Sequence, residues 1–83
     1  MADRGVARKS DSTTEGLITS GTTTVIIEDK LVAVEGLSVD SKGANVLSHS
    51  STVFAEDKGV ARLSDSMSNG HLISSASQTV FAG

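Results

Sequence analysis

His49 and His71 are the only imidazoles in this 83-residue chain, and no cysteine accompanies them. Two neutral imidazoles can share a metal ion, but a structural zinc takes four ligands. The rest of such a set would come from a carboxylate such as Glu15 or Asp65, an amide oxygen such as Asn69, or water. The other reading leaves each histidine as a solvated residue in or beside a turn. Asp11 and Asp65 each stand in a Ser-Asp-Ser setting, shortly after Arg8 and Arg62. A carboxylate so placed accepts backbone N–H groups in an Asx-type turn. The arginine beside it pairs with the carboxylate or covers apolar surface with its stem. Two carboxylates can also divide general acid and base work, but one repeated local motif already explains both residues. There is no nucleophile elbow, and no glycine-rich phosphate loop with its lysine. The sequence therefore reads as a non-enzyme.

These residues sit in a repeating frame. Gly5-Val6-Ala7-Arg8 recurs as Gly59-Val60-Ala61-Arg62, and Leu31-Val32-Ala33-Val34 is a degenerate middle copy. Each copy runs into a Ser/Thr-rich stretch that ends in a β-forming triplet: Val25-Ile26-Ile27, Val53-Phe54-Ala55 and Val80-Phe81-Ala82. Glu28-Asp29-Lys30 returns unchanged as Glu56-Asp57-Lys58. Such a period predicts three units within one domain spanning 1–83, at approximately 5–30, 31–58 and 59–83.

Size and composition narrow the classes. A domain this small buries roughly 60% of the surface its unfolded chain exposes, which leaves a thin margin. With no disulfide, no Trp and no Tyr, the remaining stabilisers are a metal, an oligomer or docking onto a larger body. The net charge of −3 offers no basic footprint for nucleic acid. No apolar run approaches the ~20 residues that span a bilayer, and Met1-Ala2-Asp3-Arg4 does not open a secretory signal. The expectation is synthesis in the cytoplasm, with any exit by a route other than general export. Ser and Thr make 22 of the residues, yet the apolar ones come in β-branched sets rather than scattered, which argues against disorder.

The elements that must position these groups are strands. Leu17-Ile18-Thr19, a tight turn at Ser20-Gly21, and Thr22 to Ile27 read as a hairpin, with Gly21 supplying the positive φ of a primed turn. Glu28-Asp29 with Lys30 makes a polar turn. The scheme repeats with a turn at Ser48-His49-Ser50 and another around Ser75-Ala76-Ser77. No periodic run of helix formers occurs. Three hairpins pool a core that one alone cannot hold, and Val25, Ile26, Val53, Phe54, Val80 and Phe81 are the expected core. Strand alternation sends one member of each pair inward and the other to the opposite face, where a partner platform would form.

The run from Gly5 to Ile27, matched again by Val60-Ala61-Arg62-Leu63-Ser64-Asp65, Gly70, Leu72-Ile73-Ser74-Ser75 and Thr79-Val80-Phe81, resembles the PAAR-repeat family. The likeness covers essentially the whole chain. It implies a small conical or pyramidal all-β domain built from three pseudo-repeated hairpin units. It also implies a structural tip that caps and sharpens the homotrimeric β-helical spike of a contractile injection machine. One monomeric copy would sit on each spike trimer, on a phage tail baseplate or a type VI secretion spike, in transient contact with the target membrane. An adaptor that recruits cargo to such a spike is the alternative. The family's apical zinc or iron implies His49 and His71 as ligands here. The pattern departs in three places: Gly-Val-Ala-Arg stands for Pro-Ala-Ala-Arg, and Glu15 and Asn69 stand where His or Cys is frequent.

Overall fold

The structure, a computed structural model, describes residues 3–14 and 16–83. Among them every regular element is a strand of two residues. In chain order these are β1 (Arg4–Gly5), β2 (Ser12–Thr13), β3 (Gly16–Leu17), β4 (Ile26–Ile27), β5 (Lys30–Leu31), β6 (Phe54–Ala55), β7 (Lys58–Gly59) and β8 (Phe81–Ala82). They pair antiparallel as β2–β3, β4–β5, β6–β7 and, across the whole sequence, β1–β8. The fold is all-β, as the sequence implies.

Strands this short are held by what lies between them. Ala7 N–H donates to the Ala61 carbonyl, Ala33 N–H to Ala7, and Ala61 N–H to Ala33, at 2.9, 3.0 and 2.9 Å, so three hydrogen bonds close a cycle. Bridges Val6–Arg62, Arg8–Val32 and Val34–Val60 join the same three segments pairwise. All three alanines are completely buried. A larger side chain at these fully buried places would overpack the centre of the cycle, and Val-Ala is the dipeptide common to all three copies.

Packing extends from this ring in two directions. The alanines join Ile18, Ala44, Val46, Met67 and Ile73 in one cluster, called here the alanine end. Val6, Val32, Val34 and Val60 join Ala55 and Ala82 in a second, the valine end, with Val25 and Ile27 partly buried against it. The bridges Ile18–Asp40, Val46–Met67 and Thr13–Ile73 tie the segments together again at the alanine end.

This corrects the expected core. Ile26, Phe54 and Phe81 are 60%, 58% and 52% exposed, and Val53 and Val80 are also exposed. The inward positions are one residue later, at Ile27, Ala55 and Ala82, because the β4, β6 and β8 registers turn those residues toward the valine cluster. The hairpin turns also move. Strand β4 pairs forward with β5 around Glu28-Asp29, and β6 with β7 around Glu56-Asp57, whose φ values of 54°, 68°, 52° and 66° are left-handed. Such angles are those of a two-residue type I′ connection. Gly21 is not at a positive φ; a Cβ there would lie 2.9 Å from the Val32 carbonyl oxygen and 3.0 Å from the Leu31 Cβ. Close approach, not turn geometry, explains this glycine.

Candidate functional site

Each candidate aspartate is forked by the arginine three residues before it. The Asp11 carboxylate accepts from the Arg8 backbone N–H at 2.8 Å, and from Arg8 Nε and Nη2, both at 2.9 Å. The Asp65 carboxylate accepts the same three bonds from Arg62 at 2.8, 2.9 and 3.0 Å. In return the Asp11 and Asp65 N–H groups donate to the Arg8 and Arg62 carbonyls. Bidentate pairing of this kind fixes both planes at once. It holds the chain through the sharp corner where Ser10 and Ser64 adopt φ of 79° and 71°. The hydrogen bond to Asp11, opposed by burial, holds the Arg8 guanidinium above its already high ordinary pKa. Both aspartates are thus committed to bracing, as the Asx-turn reading expects.

The two histidines serve separate neighbourhoods. His49 occupies the position that Gly21 holds in the first unit, and its ring lies directly over Gly59, where a Cβ would collide with it and sit 2.5 Å from the Ser50 carbonyl oxygen. Its Nδ1 is 2.9 Å from that same carbonyl, which accepts from the Nδ1–H tautomer. In the first unit the bulk is reversed, with Leu31 facing Gly21. His49 therefore fills a corner. His71 lies in the 66–72 hairpin, where its backbone N–H donates to Asn69 Oδ1 at 3.1 Å and its Nδ1 is 3.3 Å from Asn69 Nδ2. Among the described residues no three His, Cys, Asp or Glu side chains come together to hold a metal. Glu15 lies outside the described residues.

Two further residues emerge only in three dimensions. Glu56 receives the Thr23 and Thr24 N–H groups at 3.0 and 2.9 Å, and both threonine hydroxyls. Glu28 accepts from the Thr79 hydroxyl and from Arg8 Nη1. These hydrogen bonds, Thr24's to Glu56 and Thr79's to Glu28, pull both carboxyls below their ordinary pKa. Each turn thus hooks onto a unit to which it is not adjacent in sequence. The exact repetition of Glu-Asp-Lys was the signal that could have found them.

One exposed apolar set is matched. Ile26, Phe54 and Phe81 lie at equivalent positions, opposite Leu31, Gly59 and Gly5 in their three ladders. All three ladders pack on the valine cluster. The alanine end also exposes Leu17, Leu47 and Leu72, but Leu47 is displaced by two residues from the place of the other two, where the middle unit has Asn45. Among the described residues, the valine end places an exposed large apolar side chain at the same ladder position in all three cases. No protein-family model matches this sequence, and no curated protein matches it significantly.

Proposed function

We propose that the protein is a structural cap, with the valine end seated on the end of a homotrimeric β-helical spike and the alanine end leading. The single observation that carries this reading is the matched set of Ile26, Phe54 and Phe81. Exposed apolar groups of this size, repeated about a closed ring, suit a partner that offers the same surface three times. A homotrimer end does so. It also exposes strand-end N–H and C=O groups that need covering, and the short ladders β4–β5, β6–β7 and β1–β8 are suitable covers. The reading agrees with the PAAR-repeat resemblance, including its tapered outline and its place at the tip of a contractile injection machine. Rigidity under load comes from the alanine ring and the two arginine–aspartate forks.

The test is native mass spectrometry of the chain mixed with trimeric β-helical spike fragments. One copy per trimer is expected, lost in the Phe54→Ser, Phe81→Ser double variant and kept in Leu17→Ser, Leu72→Ser. Equal binding by both double variants would remove the valine end from the interface, and a free monomer beside every spike would end the cap reading.

A further inference from the structure

We infer that the corner beside Phe81 is a binding pocket for an aliphatic side chain of leucine size, supplied by one chain of the docked spike. The spike as the source rests on the docking reading; the pocket itself does not.

Three corners of the molecule are equivalent. The Lys9, Glu35 and Leu63 N–H groups donate to the carbonyls of Leu31, Gly59 and Gly5 at 2.7, 2.9 and 2.8 Å. Those acceptors stand opposite Ile26, Phe54 and Phe81 in their ladders. The turn against each corner is anchored alike, with the Thr22, Ser50 and Ser77 N–H groups donating to the Val32, Val60 and Val6 carbonyls. The residues just before these anchors, Gly21, His49 and Ala76, therefore lie against Leu31, Gly59 and Gly5.

Each of the first two corners holds one large side chain. Leu31 packs beside Gly21, and the His49 ring covers Gly59. The third pairs two small residues, since a Cβ added to Gly5 would meet the Ala76 Cβ at 3.3 Å. An open hollow of about 430 Å³ lies there, with Gly5, Leu63, Ala76 and Phe81 among its walls. A hollow of a few hundred cubic ångströms holds a side chain together with the backbone that carries it.

The walls select what enters. Leu63 stands where the other two corners carry the charges of Lys9 and Glu35. The neighbouring hydroxyls already serve the chain: Ser75 Oγ accepts from the Ser12 N–H at 2.8 Å, and Ser77 Oγ from the Val80 N–H at 2.9 Å. An aliphatic group entering here covers Leu63 and Phe81, 37% and 52% exposed, and breaks no hydrogen bond. Leucine is also what the chain itself puts in the first corner. A homotrimer presents the same side chain three times but meets two filled corners and one open one. One spike chain is therefore seated in the pocket and two are not.

The probe is N-acetyl-leucine amide, titrated into the 15N-labelled chain and followed by amide NMR. The Gly5, Leu63, Ala76 and Phe81 signals are expected to shift and saturate in the millimolar range, while those of Lys9, Leu31, Glu35 and Gly59 stay in place. Ala76→His copies the His49–Gly59 corner, and Leu63→Lys copies the Lys9 wall. Each should abolish the saturation while the signals of the other two corners report an intact fold. No saturable shift in the parent, or an undiminished one in both variants, overturns the pocket. With the trimeric spike fragments, Ala76→His should weaken the one-per-trimer complex roughly tenfold or more. Parent-like binding by that variant overturns the spike chain as the occupant. A saturable probe shift in a parent that binds no spike supports the pocket and overturns the docking reading.

Discussion

The outer units and the middle unit turn the same corner with different chemistry. Arg8–Asp11 and Arg62–Asp65 do so with buried ion pairs, whose aspartate side chains are 3% and 1% exposed. The middle unit uses Val34 and Ser38. There the Val34 N–H donates to Ser38 Oγ at 3.0 Å and the Ser38 N–H returns to the Val34 carbonyl at 3.1 Å. Gly36, at φ 78°, replaces the left-handed Ser10 and Ser64. Since a neutral hydroxyl meets the same backbone requirement, the aspartates' task is to close a turn. Charge is an addition made where an arginine must also be held.

The largest effect should come from breaking a fork. Asp65→Ala takes the carboxylate from the largely covered Arg62 guanidinium and from Arg4, and should destabilise by about 3–5 kcal/mol, measured by urea unfolding at pH 7. The paired variant Arg62→Val, Asp65→Ala should lose less than Asp65→Ala alone. A larger loss in the pair would mean the guanidinium is needed for its bond to the His49 carbonyl, 3.1 Å away. Next, Gly59→Ala presses a methyl into the His49 ring and the Ser50 carbonyl, an overpacking worth about 1–3 kcal/mol. The same urea midpoints with added zinc or with a chelator should not differ, because His49 acts there as a filler. A zinc-dependent midpoint would return the imidazole to metal binding.

Ser38→Ala tests the neutral corner. It removes one backbone-to-side-chain bond and should lose about 1 kcal/mol, so a loss equal to that of Asp65→Ala would contradict the comparison. The smallest effect is electrostatic. The Glu28 and Glu56 carboxyls titrate below their ordinary 4.5 in the folded chain. Their clamps therefore add stability above pH 4.5, which is lost as pH falls from there through the lowered values. Glu56→Gln should be less stable than the parent at pH 7, with the gap narrowing below pH 4.5 in thermal melts. A constant gap would mean the clamp does not depend on charge.

Legibility varied with the range of the interaction. The Asx-turn role of Asp11 and Asp65 was readable because the arginine lies three residues away, and a local motif carries its geometry with it. The polar turn at Glu28-Asp29 was readable for the same reason. The inward face of β4, β6 and β8 was not. A strand of two residues has no alternation long enough to set its phase, and the tallest apolar side chains drew the assignment to the wrong member. Nor could spacing alone reveal that His49 fills the space that Leu31 fills from the opposite side in the first unit.

By itself, then, the sequence determined that this chain is all-β and turns two corners with arginine and aspartate, since each follows from residue types within a few positions. Only the tertiary structure decided that Ala7, Ala33 and Ala61 form one hydrogen-bonded ring, that the turn glutamates hook across it, and that Ile26, Phe54 and Phe81 face outward. These contacts join residues far apart in the chain. Their partners are chosen by how three segments close on one another, a condition no single segment contains.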